Sequence, residues 1–197
     1  MPNILIQFAH PAFSKSRAQK ILVKYCSNIE GVTFNDLYEQ YPDLYIDVKR
    51  EQQLLLDHEI IILQHPFYWY SGPAIIKQWL DLVLEYNWAY GPQGNALTGK
   101  KMLNVLSSGS RKEAYGSTGF NKYPVSDYLL PYRQTANLCR MEYLPPFIVH
   151  GTHRITSEML EQHGKQYAMI LKGLISGIIK EDSYQHLEYL NDLELTI

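Results

Sequence analysis

The chain has 197 residues, 46% of them hydrophobic, enough for one α/β domain with a full-sized core. Its 18 Lys+Arg against 20 Asp+Glu, with no basic run, leave none of the cationic surplus that a nucleic-acid binder needs. Cys26 and Cys139 lie far apart and fit a reducing compartment better than a disulfide scaffold, and no stretch reads as a signal peptide or a membrane span, so a cytoplasmic location is expected.

In chain order, Asn3–Ala9 reads as a buried strand ending at His10-Pro11, and Ser16–Tyr25 as a helix with Ala18, Ile21, Leu22 and Tyr25 on one face. Val32–Leu37 is a second short strand. Asp47–His58 is a helix capped by Asp47, with Glu51 in its early part where an acid suits the helix dipole. Glu59–Gln64 is continuous and β-branched, the pattern of a central parallel strand. His65–Pro73 is a loop, and Ala74–Leu84 a helix with Ile75, Trp79, Leu82 and Val83 inward. Lys101–Leu106 is the fourth strand, Ser107–Tyr123 a long loop, Ser126–Cys139 a helix and Phe147–His150 the fifth strand. Thr156 caps a last helix to about Ile175. Residues 1–180 are expected to form one domain, and 181–197 a polar-aromatic tail with no predicted element.

Five strands alternating with helices and no hairpin signals predict a three-layer α/β sandwich around a parallel sheet of order 2-1-3-4-5, the flavodoxin-like arrangement. A dinucleotide-binding Rossmann fold competes, but HPAFSKSR follows the first strand where that fold carries GxGxxG.

Ligands in such sheets sit at the carboxyl ends of the strands beside the switch point, where three unusual loops converge. The first places Ser14, Ser16 and Arg17 at a helix start, a phosphate-cradle chemistry, although either serine serves equally as a plain N-cap. The second, HPFYWYSGP, sets Phe67, Tyr68, Trp69 and Tyr70 between two prolines, a wall for a planar heterocycle or a protein interface. The third, SSGSRKEAYGSTGF, offers close backbone amides, the Tyr115 hydroxyl, and Arg111 or Lys112 as positive charge; a generic flexible loop has the same composition. His150 and His153 have no carboxylate or cysteine near them in sequence and read as a strand-end pair, so no metal site is expected.

The segments HPAFSKSRA, LYEQYPDLYIDVKREQ, HEIIILQHPFYWYSGPAIIKQWLD, WAYGPQGNALTGK and YPVSDYLLPYRQTANLCRM resemble the flavodoxin-like NAD(P)H:quinone oxidoreductase family. More narrowly, they resemble the ancillary subunits of glutathione-regulated potassium efflux systems. The resemblance implies a flavin, FMN with FAD as the alternative, whose phosphate meets His10, Ser16, Arg17, Ala18 and Gln19. Pro66, Phe67, Tyr68 and Trp69 would line its ring, and Ser107, Ser108, Gly109 and Ser110 would contact the polar edge. It implies Tyr115 as the tyrosine that polarises the ring, with ping-pong hydride transfer from NADPH or NADH to a quinone-like acceptor. A homodimer and a membrane potassium efflux transporter are the implied partners, the latter drawing the protein to the inner face of the cell membrane. Two positions depart from the family pattern: Ser107-Ser108-Gly109-Ser110 replaces Thr-Thr-Gly-Gly, and Asn121 stands where the quinone reductases carry a histidine. Asn121 donates hydrogen bonds but does not exchange a proton as histidine does.

Overall fold

In the computed structural model, which describes residues 2–194, the first strand in chain order is β1 (Ile4–Phe8), buried along its whole length. It pairs in parallel with β2 (Val32–Asp36) on one side and β3 (Ile60–Pro66) on the other. β3 pairs with β4 (Lys101–Ser107), register Ile60 to Lys101 and Pro66 to Ser107. The fifth position is shared by β5 (Glu142–Tyr143) and β6 (Phe147–Val149), both parallel to β4. Pro145 and Pro146 fall between them and have no N–H to continue the ladder. The order 2-1-3-4-5 is therefore as expected, with an interrupted last strand.

Strand alternation sends side chains to opposite faces. Leu5, Ile61 and Leu63 face one layer, packed with Leu37 of α2 (Leu37–Gln40), Leu55 of α3 (Val48–Leu56), Trp79 of α4 (Ala74–Val83), Val125 of α5 (Val125–Tyr128) and Tyr132 of α6 (Leu130–Leu138). Ile4, Ile6 and Phe8 face the other, with Leu22 of α1 (Arg17–Cys26) and Tyr167 and Leu171 of α7 (Ser157–Ser176). Helices α1 and α7 cross closely at Gly164, where an added Cβ would lie 2.4 Å from Tyr25 Cδ2.

Several elements differ from the sequence expectation. Leu82 is 42% exposed; Ile76 takes the inward place beside Ile75, Trp79 and Val83. The helix expected at Ser126–Cys139 breaks at Leu129 into α5 and α6, because Pro131 at the start of α6 removes an N–H and favours a fresh N-terminus. β3 runs on through His65 and Pro66, so the second loop begins at Phe67. Glu51 does lie in the first turn of α3, as expected, and its side chain is fully buried. Its carboxylate accepts from Gln7 (2.6 Å), Trp79 Nε1 (2.9 Å), Tyr41 (2.7 Å), Arg50 (2.6 Å) and Asn35, which supplies the partners a buried charge requires.

Residues 181–194 of the tail are packed against the rest of the domain. α8 (Glu181–Tyr184) buries Tyr184, and Leu190 lies in the core. The Asn191 amide pairs with both backbone groups of Ile148, accepting its N–H at 2.8 Å and donating to its carbonyl at 3.1 Å. One side chain thus caps the outer edge of β6, which would otherwise present unpaired groups.

Candidate functional site

The carboxyl ends of β1, β3, β4 and β6 are tied by backbone hydrogen bonds: Ala9 N to Gln64 O (2.9 Å), Phe67 N to Ser107 O (2.9 Å) and Ser108 N to Val149 O (2.8 Å). These bonds carry the ladders one residue past the strands, so the loops leave the sheet from fixed points. They enclose a cavity of roughly 520 Å³, within the range of pre-formed small-molecule sites. His10, Ser16, Arg17, Ala18, Pro66, Phe67, Tyr68, Ser107 and Gly109 all line it. The first and second loops meet here with Ser107 and Gly109, while Ser14, Ser108, Ser110 and Tyr115 are not among the walls.

At the floor, Ser16 caps α1: its hydroxyl accepts the Gln19 N–H at 3.2 Å. The Arg17 and Ala18 amides at the first turn have no intrahelical acceptor, and both residues line the cavity. An anion there meets free N–H groups and the positive end of a ten-residue helix. His10 Nδ1 accepts the Ala12 N–H at 3.1 Å, so the neutral ring carries its proton on Nε2. Burial lowers the His10 pKa and keeps that ring neutral. Arg17 is tethered through its guanidinium to the Ile155 carbonyl (3.3 Å) and the Ser157 hydroxyl (3.5 Å), which fixes α1 to the start of α7. Gln19 is fully buried beneath the cavity; it donates to Ser107 Oγ at 3.0 Å and accepts from Gln64 Nε2 at 2.9 Å. It supports the floor and does not line it.

The second loop is a tight turn. Ser71 N donates to Tyr68 O at 2.9 Å, and Trp69 and Tyr70 both lie at positive φ (49° and 63°), a conformation strained for bulky residues. Tyr70 is held there by stacking on Tyr128 (4.9 Å between centroids) and by donating to Asn121 Oδ1 at 3.2 Å. Trp69 is 93% exposed and is not among the cavity walls; Phe67 and Tyr68 are. Asn121 is thereby a brace between the second and third loops.

In the third loop the Tyr115 hydroxyl lies 2.8 Å from Ser108 Oγ, and its ring packs near Phe67 and His150. Ser108 is buried, whereas Ser110 is exposed and its carbonyl accepts from Gly151 N at 2.9 Å. A Cβ on Gly109 would stand 2.6 Å from His153 Nε2, so this position has room only for glycine while His153 stays in place. Thr152 and His153 line the cavity from a fourth loop, after β6, that the sequence does not mark as part of a site. The available signal was positional: that loop also leaves a carboxyl strand end, and Thr152 N bonds back to Ser108 O at 3.0 Å.

Beneath the aromatic loop His65 is fully buried. Its Nδ1 is 3.0 Å from Pro66 O, its Nε2 lies 3.1 Å from Asn104 Nδ2, and the Tyr143 hydroxyl donates to Asn104 Oδ1 at 2.7 Å. Burial pushes the His65 pKa down to about 4, so the ring is neutral and acts as a prop.

The donor set fits a phosphorylated planar heterocycle: helix amides and a hydroxyl at one end, two aromatic side chains and a proline at the other. A family model described as flavodoxin-like fold matches residues 2–171. The glutathione-regulated potassium-efflux system ancillary protein KefG of Serratia proteamaculans is 43% identical over 166 residues, 84% of this chain and 91% of the relative. Among solved structures, general stress protein 14 of Treponema denticola, in complex with FMN, is 36% identical with a TM-score of 0.84, covering 88% of this chain and 99% of that one. An NADPH-quinone reductase from P. pentosaceus is 32% identical with a TM-score of 0.78, covering 85% and 96%.

Proposed function

This chain belongs to the family of the flavodoxin-like fold, and we propose on that footing that it is an FMN-dependent NAD(P)H oxidoreductase acting on quinones or related electrophiles. The observation that carries the proposal is the single cavity that joins the open amides of α1 to the Phe67–Tyr68 wall. Similarity to an FMN-bound protein and to an NADPH-quinone reductase supports it.

Two-electron hydride chemistry is what a bound flavin supplies. The chain's own part is binding and polarisation. Ser16 and the Arg17 and Ala18 amides hold the phosphate, with His10 Nε2–H as a further donor. Phe67, Tyr68 and Pro66 exclude water from one side of the ring site. The Tyr115 hydroxyl, 2.8 Å from Ser108 Oγ, would be the group that donates toward negative charge on a bound ring. With one side closed by Phe67, Tyr68 and Pro66, a nucleotide donor and an acceptor would have only the open side of the site to share, which is the basis for reading the kinetics as ping-pong. Asn121, bonded to Tyr70, keeps the loops together and takes no proton. A homodimer completes the open side, and the exposed Trp69 on its strained turn is the residue it would cover.

Purified protein should be yellow, bleach with NADPH in the absence of oxygen, and recolour when a quinone is added. Bound flavin that NADPH reduces but no quinone reoxidises would exclude the reductase reading.

Similarity to KefG favours a second reading that is compatible with the first: the protein docks on a potassium efflux transporter as its ancillary subunit. Among the described residues no helix is long and apolar enough to cross a membrane. Co-purification from membranes that contain or lack the transporter tests it, and equal recovery from both would remove it.

A further inference from the structure

A second cavity, of roughly 430 Å³, lies on the far side of the Gly151–Arg154 loop from the site above. Its floor and walls come from Ile148 of β6, Ile155, Met159 at the start of α7, and Tyr189 of the tail. Arg111 and Arg154 stand at its rim. Tyr189 and its neighbours Asn191 and Asp192 lie beyond residue 171, where the family match ends, so this chain's own C-terminal segment closes the cavity. The segment is firmly set there: Asn191 holds both backbone groups of Ile148, and Gln166 Nε2 donates to the Asn191 carbonyl at 2.7 Å.

The charges at the cavity are unequal. Lys112 lies over the Tyr189 ring at 4.6 Å and 3.9 Å from the Asp192 carboxylate, so those two charges answer each other. Among the described residues, neither Arg111 nor Arg154 has a carboxylate within ion-pair distance or a side-chain hydrogen bond, and Glu113 is the one remaining acid in the wall. Two guanidiniums against one carboxylate leave a net positive rim over an apolar floor. His150 stands in the same wall as a neutral ring, because burial pushes its pKa down to about 4.

The geometry points to a second ligand site, separate from the flavin cavity, that takes an aromatic monocarboxylate: the ring on Ile148, Ile155, Met159 and Tyr189, the carboxylate between Arg111 and Arg154. Guanidinium–carboxylate pairing supplies the orientation, and the apolar floor supplies the burial. The site rests on the C-terminal segment and not on the reductase reading.

The test uses full-length protein, flavin-free and FMN-loaded, titrated by calorimetry with 1-naphthoate and with its neutral counterpart 1-naphthalenemethanol. Saturable naphthoate binding is expected in both forms, with the alcohol weaker by about tenfold or more, the loss of one well-placed charge contact. Met159→Trp, which fills the cavity, and the surface pair Arg111→Gln with Arg154→Gln should each weaken naphthoate by about tenfold or more, while Met159→Trp leaves FMN affinity unchanged. Should Met159→Trp misfold, the arginine pair alone decides. Absence of saturable binding, displacement of naphthoate by FMN, equal affinity for the alcohol, or indifference to the arginine pair would each overturn the assignment. Failure of FMN to bind the wild-type protein would instead strike the reductase reading and leave this one standing.

Discussion

Replacing Gln64 with Leu removes one member of a buried polar chain that ends at the rim of the flavin cavity. Gln64 donates to Gln19 at 2.9 Å, the Tyr167 hydroxyl donates to Gln64 at 3.0 Å, and Gln19 donates to Ser107 at 3.0 Å. Gln64 and Gln19 are wholly shielded from solvent and Tyr167 nearly so. Leucine leaves two orphans, Gln19 Oε1 and the Tyr167 hydroxyl, each costing about 1–3 kcal/mol, so the variant should lose about 2–6 kcal/mol. Against a usual total of about 5–15 kcal/mol this is a large share. Tyr167→Phe alone should cost about 1 kcal/mol. Combined with Gln64→Leu it deletes one orphan, and the double variant should recover about 1–3 kcal/mol relative to Gln64→Leu. Urea unfolding of all four flavin-free proteins measures this without the added stability of a bound ligand. A double variant whose loss equals the sum of the two single losses would refute the coupled chain.

Three further outcomes are expected. Tyr115→Phe removes the hydroxyl bonded to Ser108 and should slow anaerobic flavin reduction by about a hundredfold while FMN affinity changes little; an unchanged rate would clear Tyr115 of the polarising role. Ser16→Ala removes the cap on Gln19 N, costs about 1 kcal/mol of stability, and should weaken FMN more than riboflavin, which lacks the phosphate; equal weakening would place the phosphate elsewhere. The His65 pKa in the folded protein, about 4, lies below the ordinary value of 6.5 because burial disfavours the charged ring. Its contribution is therefore complete above pH 6.5 and is lost as pH falls from there towards 4, at about 1.4 kcal/mol per pH unit and about 3 kcal/mol in all. The His150 pKa is lowered to about 4 by the same cause. Unfolding free energies between pH 7 and pH 4.5 should therefore fall at least this steeply, and a His65 ring seen by NMR to titrate near 6.5 would contradict it.

Much of this protein is legible along the chain because the signals are local. Short apolar strands separated by helix-period segments fix the parallel sheet and its order, and loops at the carboxyl ends of β1, β3 and β4 must then meet. Ser16, Asp47 and Thr156 are readable as caps because a cap needs only its own first turn: their side chains accept from Gln19, Arg50 and Met159. The resemblance carried by HPAFSKSRA and QHPFYWYS adds the flavin to that reading.

What the chain order could not decide is where residues distant in sequence lie against one another. Glu51 is readable as an acid in the first turn of a helix, but its burial shows only where Gln7, Asn35, Tyr41 and Trp79, from four other segments of the chain, surround it. Trp69 and Phe67 are indistinguishable in an aromatic run, and only the left-handed turn at Trp69–Tyr70 puts one outside and one in the wall. His153 joins the site, Asn121 becomes a brace, and the tail closes a cavity of its own, because each depends on contacts between segments far apart in the chain. Periodicity and capping are short-range and survive in a string of letters; burial, charge pairing and cavity walls are made by tertiary packing and exist only once the chain has closed on itself.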